Sequence, residues 1–141
     1  TNDAIKTISR LVDMGVPPYL VSSSLTGVLS QRLVRRICNN CKEKYKPNQE
    51  ELEYLQRDDI EYLYRGHGCQ RCNQTGYVGR MAVHELLTID SKIKKMINQN
   101  EDASEIKSYA LEKGMITLRE DGLNKLKEGF TTLEEIKKII I

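Results

Sequence analysis

The stretch CNNCKEKYKPNQEELEYLQRDDIEYLYRGHGCQRC, residues 38–72, contains all four cysteines of the chain in two pairs, Cys38 with Cys41 and Cys69 with Cys72. Two residues lie between the members of each pair, which allows both thiolates of one loop to reach a single tetrahedral ion at about 2.3 Å. Two such loops complete a four-thiolate site, and such a site is structural because no position is left for water or substrate. The spacing therefore predicts one zinc ion bound by these four cysteines.

Two other interpretations of the cysteines remain open. Structural disulfides are disfavoured in a cytoplasmic chain, and the polar start of this sequence lacks the basic and apolar regions of a signal peptide. A redox-active dithiol or an iron site is the second alternative. His67 precedes Cys69 by two residues and is a possible substitute ligand, but with four paired cysteines we expect it to be a bystander. His84 is expected to be a structural histidine.

The residues around the cysteines fit a compact metal site. Several are types that supply tight turns and positive φ angles: Asn39, Asn40, Gly66, Gly68, Asn73 and Gly76. Four thiolates on a divalent ion leave about two negative charges, which nearby cations would offset. Six cations flank the two pairs, and a solvated surface charge is the alternative for each of them: Arg35, Arg36, Lys42, Lys44, Arg65 and Arg71.

Composition favours a largely helical protein outside the membrane. The chain is 39% hydrophobic and 30% charged, with one Phe and no Trp, and no apolar run approaches the length of a membrane span. We therefore expect a cytoplasmic protein without direct membrane insertion. The net charge of +2 is too small to indicate nucleic acid, but residues 47–64 contain six acids against Arg57 alone. This uneven distribution favours docking of one subunit against another, or simply solvated helix faces.

The pattern of apolar residues predicts the elements along the chain. The tail contains three candidate capping boxes, with Gly114 and Gly129 at expected helix ends. The boxes are Asp102 to Glu105, Thr117 to Glu120 and Thr132 to Glu135. The fold class is α+β and mainly helical. The first predicted element is a surface helix over residues 3–14, capped by Thr1 or Asn2 and stopped by Gly15. A largely buried helix over 19–34 and an acidic helix over 48–64, with a possible break at Asp58 and Asp59, follow. The remaining elements are a strand or hairpin over 76–89 and four short helices from Ser91 onward.

Four stretches, in order, resemble the ATPases that power type II secretion and type IV pilus assembly. Residues 1–4 resemble the continuation of a histidine box whose His would precede Thr1, and residues 14–25 with 31–35 resemble the last helix of the ATPase core. Residues 69–80 with 84–87 resemble the second half of the zinc module and the strand leaving it. Residues 114–118 with 129–135 resemble the helical tail.

The resemblance implies a hexameric motor with a RecA-like core that uses ATP and magnesium. It divides the chain into residues 1–37 as the end of that core, 38–76 as the zinc module, and 77–141 as a returning strand and C-terminal helical subdomain. The phosphate-cradling loop and the acidic box of such motors are absent, so hydrolysis is not expected from these residues alone. Arg32 and Arg80 are candidates for contact with a neighbouring subunit. The zinc module points to assembly or secretion rather than retraction.

Three functions compete at this stage. The first is a non-catalytic part of the motor that supports subunit packing and docks on inner-membrane platform proteins. The second is a zinc-ribbon module that binds nucleic acid, although the segment between the cysteine pairs is acidic rather than basic. The third is a thiol-dependent enzyme, for which no Ser/His/Asp set, carboxylate pair or HExxH motif is present.

Overall fold

The computed structural model describes residues 3–140, and this part of the chain is a mixed α/β fold of seven helices and four strands. The elements are α1 (Ala4–Asp13), α2 (Pro18–Ser24), β1 (Gly27–Ile37), β2 (Lys42–Tyr45), α3 (Gln49–Leu55), β3 (Leu63–Gly66), β4 (Tyr77–Thr88), α4 (Ser91–Asn98), α5 (Ala103–Glu112), α6 (Leu118–Lys127) and α7 (Leu133–Ile139).

The chain divides into two compact units, each assembled from segments that are distant in sequence. Unit 1 combines residues 1–31 with 84–118, and unit 2 combines 32–83 with 119–141. The division of the sequence into three continuous segments stays a prediction. The core of unit 1 contains α1, α2, α4 and α5, and its buried members include Ile5, Ile8, Val21, Leu87 and Ile93.

Two long strands pair with each other, and two short ones form a separate hairpin. Strand β1 pairs with β4. The Ile89 N–H donates to Thr26 O at 3.0 Å and the Cys38 N–H donates to Gly76 O at 2.9 Å, so the start of β1 lies beside the end of β4 and the strands run antiparallel. Strands β2 and β3 are antiparallel as well, with Lys42 opposite Gly66. The strand predicted over residues 76–89 is confirmed by β4.

The buried helix predicted over residues 19–34 is correct only as far as Ser24. Helix α2 ends at Ser24, Leu25 adopts an extended conformation, and residues 27–37 form β1. The hydroxyls of Ser22 and Ser23 donate to the backbone carbonyls of Tyr19 and Leu20. Such side-chain hydrogen bonds compete with the backbone hydrogen bonds of a helix. The stretch is not largely buried either, since Tyr19 is 69% exposed.

The acidic helix is shorter than predicted. Asn48 and Glu51 form a capping box at the start of α3, and the helix ends at Leu55 because Gln56 adopts a left-handed conformation. Asp58 and Asp59 therefore lie beyond the helix, and Leu63 begins a strand instead.

The four helices predicted from Ser91 onward are confirmed, and the helix ends at Gly15, Gly114 and Gly129 are where they were expected. The capping boxes are only partly as predicted. The Thr132 side chain accepts from the Glu135 N–H at 3.2 Å, but the Asp102 side chain makes no cap hydrogen bond. Helix α1 is capped by Asp3, whose carboxylate accepts from the Ile5 and Lys6 N–H groups. The alternative caps Thr1 and Asn2 lie outside the described residues.

Candidate metal centre

The four cysteines come together where two loops meet in unit 2. Cys38 follows the end of β1 and Cys41 precedes β2, while Cys69 and Cys72 lie in the turn after β3. Their sulfur atoms all lie within 4.8 Å of one another. Cys38, Cys41 and Cys72 are buried and Cys69 is partly buried, so the chain itself shields most of the cluster from water.

Three of the six separations between the sulfur atoms match a tetrahedral metal site. The Sγ atoms of Cys38 and Cys69, and those of Cys41 and Cys72, are 3.8 Å apart, and those of Cys69 and Cys72 are 3.6 Å apart. Four sulfur atoms bound at about 2.3 Å around a tetrahedral ion lie about 3.8 Å from one another. None of the four cysteines is in a disulfide. The cluster could therefore hold one metal ion with four sulfur ligands.

Hydrogen bonds to the sulfur atoms favour thiolates on the second loop. The Gly76 and Cys69 N–H groups donate to Cys72 Sγ at 3.2 and 3.3 Å, and the Asn40 amide donates to Cys69 Sγ at 3.3 Å. Burial acts to raise the pKa of the Cys72 thiol, but the N–H donors outweigh it and lower the pKa to about 6. The Asn40 amide is the main cause of a lowered pKa at Cys69. Burial raises the pKa of the Cys41 thiol to about 12.

The second loop depends on a close approach between two glycines. A side chain added at Gly66 would meet Gly76 Cα at 2.8 Å and the Gly76 carbonyl oxygen closer still. Gly76 has a φ of 84°, where an L side chain is strained, and its N–H is a donor to the cluster. Of the predicted positive-φ residues, Gly68 and Asn73 also adopt such angles, but Asn39, Asn40 and Gly66 do not.

The remaining predicted site residues lie outside the sulfur cluster. His67 and His84 are exposed, and neither belongs to the group of possible ligands found among residues 3–140. Five of the six flanking cations have other partners. Arg35 pairs with Glu135 and lies over Tyr77, Arg65 pairs with Glu43, and the others lie over aromatic rings: Arg36 over Phe130, Lys42 over Tyr64 and Lys44 over Tyr62. Arg71 is exposed.

Glu85 is a structural residue that the sequence analysis missed. Its buried carboxylate accepts from the Ala4 N–H at 2.7 Å and from the Leu118 N–H at 3.0 Å. Both N–H groups begin helices, α1 and α6, where backbone donors lack an intrahelical partner and the helix dipole favours negative charge. A signal was available, because alternation along β4 places Glu85 in phase with the buried Val83 and Leu87.

Glu135 is a second buried carboxylate with a role that was not foreseen. It was expected to complete a capping box with Thr132, but its oxygens accept from the Arg35 backbone N–H at 2.9 Å and from the Arg35 guanidinium at 2.8 Å. Lys138 adds a third donor at 3.0 Å. Burial acts to raise the pKa of Glu135, but these donors outweigh it and lower the pKa to about 2.

Taken together, fold and site define a small mixed α/β protein that brings four cysteines into one possible metal centre. The sequence matches the profile of the family described as "Type II/IV secretion system protein" over residues 1–138, and the chain belongs to this family. Among residues 3–140, no helix is long and apolar enough to cross a membrane.

Two relatives whose names state a function support the assignment to this family. The chain is 53% identical to the type IV pilus assembly ATPase PilB of Thermus thermophilus, covering 96% of this chain and 16% of that protein. It is 42% identical to the type II secretion system ATPase E of Vibrio cholerae, covering 99% of this chain and 28% of the relative. The chain thus spans less than a third of the length of either relative.

A solved structure supports the fold. The X-ray structure of the ATPase DotB of Legionella pneumophila aligns with 99% of this chain and 30% of its own, with a TM-score of 0.55 and 17% identity. The resemblance to secretion and pilus ATPases inferred from the sequence is therefore confirmed.

Proposed function

We propose that this chain is the zinc-binding C-terminal part of a hexameric cytoplasmic ATPase that powers type IV pilus assembly or type II secretion. The main support is the identity of 53% with a pilus assembly ATPase over nearly the whole chain. Residues 1–37 would be the end of a RecA-like core, and ATP and magnesium would bind elsewhere in the longer polypeptide. The role of the chain itself would be structural, in subunit packing and in docking on inner-membrane platform proteins, with Arg32 or Arg80 as candidate contacts to a neighbouring subunit.

Zinc is the proposed metal because four cysteine sulfur atoms within 4.8 Å of one another, with separations of 3.6–3.8 Å for three of the six pairs, suit a tetrahedral soft-ligand site. The ion would draw the four thiolates together, and the N–H donors around Cys69 and Cys72 would offset part of their negative charge. No position would remain for a reacting group, so the ion would stabilise the fold rather than act on a substrate.

Two measurements on the purified chain test this proposal. Elemental analysis should find about one zinc per chain, and less than about 0.2 equivalents with four titratable thiols would contradict the metal assignment. Calorimetry and phosphate release with ATP and magnesium should detect neither tight binding nor turnover. Micromolar ATP binding that survives Arg32→Gln and Arg80→Gln would contradict the non-catalytic role.

A zinc-ribbon that binds nucleic acid remains the alternative, but the structure gives it little support. Single-stranded nucleic acid is usually bound by stacking of bases on open aromatic rings. The tyrosines of the zinc-module segment instead lie under cations of the same chain, as in the pairs Arg65 with Tyr45 and Lys44 with Tyr62. Salt-dependent binding of DNA or RNA would favour the alternative.

A further inference from the structure

Among the four clustered cysteines, Cys69 is the one that a molecule in solution can reach. Its side chain is only partly buried, and the two residues that follow it in the loop are both exposed. The other three cysteines are between 1% and 5% exposed: Cys38, Cys41 and Cys72. A small reagent therefore meets the sulfur of Cys69 before it meets the sulfur of any other cysteine.

The hydrogen bonds to the two sulfur atoms of this loop also differ in kind. Cys72 Sγ accepts from the backbone N–H groups of Gly76 and Cys69, which the course of the chain holds in place. Cys69 Sγ accepts at 3.3 Å from the amide of Asn40, an exposed side chain of the first loop. An exposed side chain changes rotamer in nanoseconds or less, and a backbone donor does not. Because hydrogen bonds that stabilise a thiolate reduce its nucleophilicity, rotation of Asn40 leaves Cys69 more reactive without any change of fold.

A second sulfur lies in position to complete a disulfide with Cys69. Cys72 Sγ is 3.6 Å from Cys69 Sγ, which is closer than the 3.8 Å between Cys69 Sγ and Cys38 Sγ. Cys69 and Cys72 also have the Cys-x-x-Cys spacing of disulfide oxidoreductases, in which one turn of chain carries both sulfur atoms. Cys72 is therefore the nearest nucleophile to a modified Cys69.

We propose that Cys69, covered by the Asn40 amide, is a site of reversible exchange with a low-molecular-weight disulfide, RSSR, and that Cys72 completes the exchange. In the first step the Cys69 thiolate attacks one sulfur of RSSR, which forms a mixed disulfide at Cys69 and releases RS⁻. In the second step the Cys72 thiolate attacks Cys69 Sγ, which forms the Cys69–Cys72 disulfide and releases a second RS⁻. Two thiolates of the chain are thereby oxidised, and one RSSR is reduced to two RS⁻.

This exchange would make the proposed metal centre sensitive to the redox state of its surroundings. The disulfide would leave Cys38 and Cys41 as the remaining sulfur ligands, which is too few for a closed four-sulfur site. Excess thiol would reverse both steps and restore the four ligands. The inference rests on the proposed zinc assignment and adds a modification site to it.

The test treats the zinc-loaded chain with oxidised glutathione and follows each cysteine over time by tryptic mapping and mass spectrometry. Trypsin cleaves after Arg71, which puts Cys69 and Cys72 on separate peptides. A glutathione adduct on the Cys69 peptide should appear first. Peptides joined through Cys69 and Cys72 should follow, in step with release of zinc to a colorimetric chelator. Dithiothreitol followed by added zinc should restore the starting state.

Asn40→Ala tests the cover assigned to Cys69. Removing the amide should speed formation of the adduct at Cys69 about threefold or more, which is the scale of one hydrogen bond to a charged group. Asn39→Ala changes the exposed neighbour in the same loop and is the matched control, for which the wild-type rate is expected.

Several results would overturn the proposal: a first adduct on one of the three buried cysteines, a first disulfide that joins Cys69 to Cys38, no reaction at Cys69, or equal rates in Asn40→Ala and wild type. Zinc content is measured in each protein before oxidised glutathione is added. A wild-type chain without zinc would contradict the metal assignment and the inference together. A zinc-loaded chain that is modified in another order would contradict the inference alone.

Discussion

At the residue scale, Gly66 and Gly76 allow the end of β3 to approach the segment before β4 closely, because neither has a side chain. Gly66→Ala should push the two segments apart, because its Cβ would lie closer than 3.0 Å to backbone atoms of Gly76. We expect a loss of unfolding free energy of about 2 kcal/mol or more, as for other overpacked sites, together with weaker zinc retention. Chemical denaturation and a competition assay with a zinc chelator measure the two effects.

Gly15→Ala is the control for this change. Gly15 has a φ of 101° but no atoms within 4 Å of an added Cβ, so alanine there introduces backbone strain without a contact. It should cost about 1–2 kcal/mol and leave zinc retention unchanged. Equal effects of both substitutions on zinc retention would show that the contact between the two glycines is unimportant.

Glu135 provides a pH-dependent contribution to stability. Because its pKa is lowered from 4.5 to about 2 in the folded chain, the stabilisation is complete above about pH 4.5 and disappears as the pH falls toward 2. Glu135→Gln should therefore destabilise the protein by about 2 kcal/mol at pH 7, typical of a charged hydrogen bond, and by progressively less at acidic pH. Urea unfolding of both proteins from pH 7 to pH 3 measures the difference.

Loss of the proposed zinc at low pH should affect both proteins alike, so the difference in their stability reports on Glu135. Glu134→Gln is a suitable control, since this neighbouring acid is exposed and forms no ion pair among residues 3–140. A difference between wild type and Glu135→Gln that stays constant over this pH range would contradict the role assigned to the carboxylate.

At the element scale, Glu85 connects the starts of two helices through one carboxylate. Glu85→Gln should expose the Ala4 and Leu118 amides to faster hydrogen exchange, because an amide oxygen is a weaker acceptor than a carboxylate and its NH₂ group would face a second N–H donor. The expected loss of stability is about 1–3 kcal/mol. Glu105→Gln, an exposed acid in the first turn of α5, should change neither amide. Exchange that is unchanged at both amides would mean that the helices start correctly without Glu85.

The elements that local signals determine were predictable, and those that depend on distant partners were not. Glycines stop α1, α5 and α6 where the sequence indicated, because the end of a helix is decided by a few neighbouring residues. The error over residues 19–34 has the opposite cause. Leu and Val suit either a helix or a strand, and pairing with β4, about 50 residues away in sequence, decides in favour of a strand.

The same distinction applies to the site. The clustering of the four cysteines was predictable from the sequence, because the short spacing within each pair brings two sulfur atoms together locally. Glu85 and Glu135 have partners that are 81 and 100 residues away in sequence, Ala4 and Arg35, and no local pattern could have supplied these pairs. The alternation along β4 would have indicated only that Glu85 is buried.

At the scale of the whole molecule, the metal and the helices should contribute to separate parts of the structure. We predict that chelation removes protection from hydrogen exchange in β2, α3 and β3 while α4 and α5 keep theirs. Structural zinc is worth roughly 10–16 kcal/mol in zinc-finger peptides, whereas α4 and α5 pack in the apolar core of unit 1. Cys69→Ser should act like the chelator. Helix α7 and all of α6 after Leu118 belong to unit 2, so an intermediate loss is expected there.

Hydrogen exchange followed by mass spectrometry measures this segment by segment. Glu61→Gln, an exposed change in the zinc-module segment that removes no ligand, is the control and should leave the protection pattern as in the wild type. Equal protection of residues 45–65 with and without zinc would show that α3 is held by packing and that the metal is incidental.

The bond from the Cys38 N–H to the Gly76 carbonyl, at 2.9 Å, closes residues 38–76 at their base. The polypeptide leaves the β1–β4 pair and returns to it at neighbouring positions, as an insertion in a hairpin does. A gene could therefore gain, lose or exchange this cassette in a single in-frame event without separating the two strands. Evolution could vary residues 38–76, the proposed metal-binding segment, and the remainder of the protein at different rates.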